Sequence, residues 1–333
     1  MGTYRLVLAL MVVTSHLRWF AFGHNQGVTA VVSFFLLSGY VMTALIEKYY
    51  DRIETLPKFA IDRALRLYPQ FIFYLLAATA LTCIFHQWGI FNHDLTFGTW
   101  VLNALMLPLG YYMFGFEHAQ VLPPAWSLGL EFTFYAVFPF LLIYRARAIA
   151  FVLSLAFFIF ATSGQIDADA WGYRLLPGTL FIFICGSYIR TADYRLPVIA
   201  WLVSLCLVAV WFIDPSYRIA SNLEVFAGIS IGIPAVWLLS KLRFSKIDEL
   251  LGNMSYGVYL NHWVLLIIEG SMHISAVTVP HRLGLMAASV MLSYVTYRFV
   301  ERPALMLRRR TRRGTKTDAR STTRGFPQAA AER

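Results

Sequence analysis

The chain has 333 residues, of which 58% are hydrophobic and only 14% charged, with a formal net charge of +10 and a mean hydropathy of +0.60. A soluble domain is about a quarter charged, so the composition excludes an ordinary water-soluble globular fold. The three cysteines, Cys83, Cys185 and Cys206, sit inside apolar blocks without metal-ligand spacing or a disulfide framework, and are read as packing residues.

Taken in order, the apolar blocks predict about ten membrane-spanning helices, over 6–22, 28–46, 70–88, 128–144, 148–163, 174–190, 197–213, 222–240, 254–270 and 281–300. Each approaches the roughly 20 residues that a bilayer-crossing helix needs. The first block is not read as a cleaved signal peptide, because further apolar blocks rather than a soluble domain follow it. The fold class expected is all-α, a polytopic transmembrane helical bundle over residues 1–307, followed by a basic cytoplasmic tail over 308–333, "RRRTRRGTKTDARSTTRGFPQAAAER". That tail is poor in apolar residues, so it is expected to be disordered and to lie against anionic lipid head groups. Nucleic acid is not expected as a partner.

Charge sets the orientation. With both termini in the cytoplasm, only Arg18, Arg174, Arg218 and Arg282 of the 28 Lys and Arg fall on the outer side, and the outer loop from Gly89 to Ser127 holds none. This is the positive-inside asymmetry. The expected location is the bacterial cytoplasmic membrane.

Ionisable groups within spans are costly and mark function. Arg5 and His16 lie on the first span, eleven residues and therefore about 16 Å apart along a helix. One extended molecule can touch both. Glu131 enters the membrane just after the outer loop, in "PPAWSLGLEFTFYAVFP", at a depth expected to match that of His16. A carboxylate beside a buried imidazole holds its tautomer and raises its basicity. Arg63 and Arg66, in "FAIDRALRLYPQF", share one face of a short surface helix and suit phosphate oxygens. Tyr68 closes the same motif. His262 lies inside the ninth span, and Glu301 at a cytoplasmic helix end. Ser38–Gly39 in "SFFLLSGY" reads first as a small pair for helix packing.

These segments together resemble the acyltransferase-3 family of integral membrane acyltransferases. Arg5, ten intervening residues and His16 are similar to the family's first motif. "FFLLSGY" at 34–40, "DRALRLYP" at 62–69, "WSLGLEFTFY" at 126–135, "LGNMSYGVYLNHW" at 251–263 and "ERP" at 301–303 resemble the motifs that follow, in the family's order. The resemblance covers Tyr4 to about Arg308. It implies a cytoplasmic acyl-CoA donor, acetyl-CoA in the first instance, and a glycan or lipid-linked glycan acceptor on the outer side. It implies no metal. No room is seen for an appended extracytoplasmic domain, so transfer is expected either to finish on this chain or to pass to a separate extracytoplasmic transferase. In that reading His16 is the general base and Glu131 orients it, while Arg5, Arg63 and Arg66 bind the donor. Ser38, Tyr68, Trp126, Ser127, His262 and Glu301 are further candidate pocket residues. The alternative is a secondary transporter or glycan flippase, which also places polar groups inside a bundle, although no repeat relates the two halves.

Overall fold

The computed structural model describes residues 1–86, 92–272 and 278–308. Among them lie eleven α-helices and no strand: α1 (Gly2–His16), α2 (Gln26–Tyr49), α3 (Leu56–Phe85), α4 (Phe97–Ala104), α5 (Trp126–Ile143), α6 (Arg147–Phe160), α7 (Leu176–Arg190), α8 (Arg195–Ile213), α9 (Asn222–Ser240), α10 (Lys246–Ser271) and α11 (Val279–Thr296). The bundle is all-α and polytopic. Eight helical segments are long and apolar enough to cross a membrane. Of the ten expected spans, α1 and α10 do not reach that standard, for different reasons. α1 has only 15 residues and ends at His16, because Arg18 adopts a left-handed backbone (φ +52°). α10 is long, but carries Asp248, Glu249, Asn253, Asn261, His262 and Glu269. The two pack side by side.

α2 and α7 form the centre of the bundle, with 72% and 78% of their apolar windows buried, against 22% for α8 and 17% for the α11 segment. The outer helices turn apolar side chains outward: Val152, Leu153, Leu202, Leu205, Ile231, Leu238 and Met291 are all exposed. In water such a surface would be a liability; it suits acyl chains. Cys185 is buried, whereas Cys83 and Cys206 lie on this outer surface, so only one of the three cysteines packs inside.

Close helix approaches rest on glycine. A methyl group added at Gly39 would lie 1.8 Å from the Phe183 carbonyl oxygen, and one at Gly186 would lie 1.9 Å from that of Leu36, so α2 and α7 touch backbone to backbone. Gly2 of α1 and Gly252 of α10 meet in the same way. α1 and α10 run parallel, and the Asp248 carboxylate accepts from the Gly2 and Thr3 backbone N–H groups (2.7 and 2.8 Å), satisfying donors left open at the first turn of α1.

Two sequence expectations change. Arg63 and Arg66 do not sit on a separate surface helix: α3 runs unbroken from Leu56 through Pro69 to Phe85. The segment expected as an outer loop is partly structured, with α4, a 3₁₀ turn over Leu107–Phe114 packed against α5, and a buried Asn103. The basic tail beyond Arg308 and the loop positions 87–91 lie outside the described residues.

Candidate active site

A cavity of about 240 Å³ opens between α1, α2, α3, α5 and α10, at the end of the bundle that holds the α1 N-terminus. Its walls carry Arg5, Arg63, Arg66 and Arg308 together with Glu131, Ser38, Ser127, Tyr135, Tyr256 and Tyr259. The apolar remainder, including Phe34, Phe35 and Leu128, excludes water from one side of these groups, so charge there acts at greater strength than in bulk solvent.

α5 starts on the tight turn Pro123–Ala125 and so presents Glu131 early in its course. One Glu131 oxygen accepts from the Tyr135 hydroxyl, one helical turn on, at 2.5 Å, and from the Ser38 hydroxyl of α2 by a short contact. The small pair Ser38–Gly39 is thus divided in its work. Gly39 lets α7 approach, and Ser38 turns into the cavity and holds the carboxylate.

The arginines are not equivalent. Arg63 pairs with its neighbour Asp62, which is fully buried, through Nε at 3.0 Å; its guanidinium also lies 5.9 Å from the Phe59 and Tyr135 ring centroids. Asp62 in addition accepts from Nε of Arg308 at 2.9 Å, which draws the start of the basic tail across the cavity mouth. Arg66 pairs with the buried Glu301 and lies over the Tyr256 ring. Arg5 lines the same cavity, and its guanidinium makes no hydrogen bond or ion pair among the described residues. Of Arg5, Arg63 and Arg66, only Arg5 is without a carboxylate ion pair among the described residues.

A second, wider hollow of about 500 Å³ adjoins the first, sharing Asn253 and Arg308 with it. Lys246, Arg302, Arg308 and Tyr297 line it together with Glu249, so its charged lining is net positive.

His16 does not line the cavity. It is exposed at the C-terminal end of α1, and its Nδ1 lies 3.1 Å from Nε2 of His262. The two rings are nearly parallel (19°, centroids 5.0 Å), and the edge of Trp263 meets His16 at 5.8 Å. The expected pairing of His16 with Glu131 is therefore corrected: the imidazole's partner is another imidazole, and Glu131 is engaged by Ser38 and Tyr135. The reason is depth: Glu131 lies in the cavity beside Arg5, eleven residues before His16 on α1 and so about 16 Å from the level of the imidazole.

Between the cavity and the histidine pair stands Tyr259. Its hydroxyl donates to the Pro124 carbonyl (2.8 Å) and lies 2.7 Å from the Ser127 hydroxyl, while its ring borders Phe34 (6.1 Å) and His262 (6.4 Å). The remaining candidates sit outside the cavity wall. Tyr68 donates to the Leu105 carbonyl and steadies the segment after α4. Trp126 is buried beneath the Arg174 guanidinium, 4.7 Å from its ring centroid. Glu301 faces Arg66. Sequence reasoning passed over Tyr135, Tyr256, Tyr259, Asp62 and Arg308. The helical spacing held a signal: Tyr135 is four residues from Glu131, and Tyr259 and Tyr256 lie about one and two turns before His262. No group of three metal-ligating side chains occurs among the described residues.

Residues 4–298 match the family model described as an acyltransferase domain, acyltransferase-3. Among curated proteins, the chain is 25% identical over 348 aligned positions to the putative O-acetyltransferase SACOL0978 of Staphylococcus aureus strain COL, covering 90% of this chain and 56% of that one. It is 22% identical to the O-acetyltransferase OatA of S. aureus strain NCTC 8325, covering 89% of this chain and 55% of that protein. An uncharacterized protein of Aquifex aeolicus is 32% identical over 158 positions, 43% of this chain and 72% of that one. The chain thus spans about half the length of the curated O-acetyltransferases that it matches. No solved structure matches.

Proposed function

Because the chain belongs to the acyltransferase-3 family, we propose that it is a membrane O-acyltransferase that moves an acyl group, acetyl in the first instance, from cytoplasmic acyl-CoA to a hydroxyl of a glycan or glycolipid acceptor. The observation that carries this reading is the arginine cavity with its open guanidinium at Arg5 and its basic antechamber. A coenzyme A thioester has an anionic nucleotide end and a long, thin, uncharged arm. The antechamber suits the first, through Lys246, Arg302 and Arg308 for the phosphates and the Tyr297 ring for the base. The inner cavity suits the second. Arg5 takes a phosphate or the polar root of the arm, while Arg63 and Arg66, held by Asp62 and Glu301, set the positive potential around it.

His16 acts as the general base. It accepts the acceptor hydroxyl's proton as that oxygen attacks the thioester carbonyl carbon; the carbon–sulfur bond then breaks, and the proton passes to the departing thiolate. Base catalysis of this kind contributes about 10²–10⁴-fold. Glu131, fixed by Ser38 and Tyr135, is the carboxylate on the donor's path and orients the arm opposite Arg5. The Tyr259–Ser127 contact separates donor cavity from histidine pair, so the arm must displace it for the acyl carbon to reach His16. The basic tail rests on anionic lipid, and the final acceptor is reached either directly or through a separate extracytoplasmic transferase.

The test is the full-length protein in vesicles supplied with acetyl-CoA and a bacterial surface glycan fraction. Thiol release together with acetylated glycan by mass spectrometry, both absent in His16→Ala, is the expected result. A wild-type protein that inserts normally yet releases no thiol and acetylates nothing, in vesicles or on the glycans of its own strain, would overturn the reading.

A further inference from the structure

We infer that His262 is the positioning residue of His16: its Nε2 accepts the His16 Nδ1 proton and thereby leaves the His16 Nε2 lone pair free as the base. The inference rests on the reading of His16 as general base, and it specifies which ring nitrogen acts.

The chain of assignments starts at a backbone carbonyl. His262 Nδ1 lies 3.1 Å from the Val258 oxygen, one turn back on α10. A carbonyl oxygen only accepts, so in neutral His262 the proton resides on Nδ1. Nε2 of His262 then holds a lone pair, and the atom facing it at 3.1 Å, Nδ1 of His16, must be the donor. A neutral imidazole carries one ring proton, so with Nδ1 of His16 protonated, Nε2 is bare. Among the described residues no hydrogen bond is made at that nitrogen, and His16 is an exposed residue. Free neutral histidine in water favours the opposite tautomer, with the proton on Nε2, which leaves that nitrogen no lone pair to act as a base. The hydrogen bond made at one ring nitrogen decides the protonation of the other.

Burial and packing hold this arrangement rigid. His262 is only 2% exposed, so no water competes for its Nε2. The Trp263 edge restricts the His16 ring. α1 and α10 are also locked in register at their far ends. Gly2 meets Asp248 and His16 meets His262, each pair 246 positions apart, as parallel helices of equal pitch require. When His16 takes the acceptor's proton on Nε2, its Nδ1–H becomes a charged donor to His262, and that hydrogen bond strengthens in the transition state.

The test compares two substitutions in the full-length protein. Gln at 262 presents a side-chain carbonyl near the position of Nε2 and still accepts from His16; Leu has a similar bulk and accepts nothing. We expect His262→Leu to lower kcat by about 10–100-fold, the scale for loss of a histidine's orienting partner, with the KM for acetyl-CoA unchanged, and His262→Gln to retain most of the activity. Side-chain ¹⁵N spectra of the wild-type protein should show His16 protonated on Nδ1. Equal losses in both variants, an undiminished His262→Leu, or a wild-type His16 protonated on Nε2 would each overturn the positioning role. Activity persisting in His16→Ala would instead overturn the base itself, while leaving the measured tautomer intact, so the two failures are told apart.

Discussion

Glu131 and Ser38 meet across two helices, the carboxylate of α5 receiving the hydroxyl of α2. The next residue, Gly39, lets α2 sink against α7, where an added methyl group would lie 1.8 Å from the Phe183 carbonyl oxygen. A hydrogen bond in the cavity and a packing contact therefore depend on adjacent residues of one motif. Gly39→Val is expected to separate α2 from α7 and to lower both thermal stability and activity. Ser38→Ala should lower activity alone. Detergent-solubilised melting curves beside thiol-release rates would separate the two effects.

Removing the Glu131 charge while keeping its shape gives a sharper measure of the cavity. Glu131→Gln loses two charge-assisted hydrogen bonds, each worth about 1.5–3 kcal/mol, from Tyr135 and Ser38. The expected outcome is a fall in kcat/KM of at least about 10-fold with the protein still folded. Unchanged kcat/KM would remove Glu131 from the donor path.

Arg5 and Arg66 should behave in opposite ways. Arg5 makes no side-chain hydrogen bond or ion pair among the described residues, so Arg5→Gln is expected to raise the KM for acetyl-CoA by about 10-fold, one lost charged contact, and to leave the melting temperature in place. Arg66→Gln leaves Glu301 buried without its cation, a loss of roughly 3–5 kcal/mol. Adding Glu301→Gln to that variant should restore much of the folding. A restored fold with weakened donor binding would also show that Arg66 contributes potential to the cavity.

Asp248 links the starts of α1 and α10. Burial pushes its carboxyl up, but hydrogen bonds from the terminal ammonium and from the Thr3 and Gly2 N–H groups outweigh that and hold it well below the usual carboxylate range. A depressed folded value means that the stabilisation is complete above the unfolded value, about pH 4, and is lost as pH falls below it. Asp248→Asn should cost about 1 kcal/mol at neutral pH, and should flatten the acid side of the stability profile. Melting temperatures from pH 3 to 7 would show whether the wild-type slope belongs to this group.

Composition and residue spacing were enough to set the class of the molecule and to mark its exceptional residues. Apolar runs, the sparse charges and the one-sided arginines are local properties, so they predict lipid-embedded helices without knowledge of their neighbours. For the same reason His16, Glu131, Arg5, Arg63 and Arg66 stood out: each violates the rule of its own span. Which groups meet was set by the packed bundle. Partner choice depends on how each helix is rotated and how closely it crosses its neighbours. Those are set by glycines such as Gly39, Gly2 and Gly252, distant in sequence from the groups they bring together. Hence His16 turns to His262 rather than to Glu131, Arg66 to Glu301, and Arg63 to the adjacent Asp62, which also draws in Arg308. Spacing follows from counting residues along one helix, but the level of a group on another helix does not. Direction is fixed by two helices in contact.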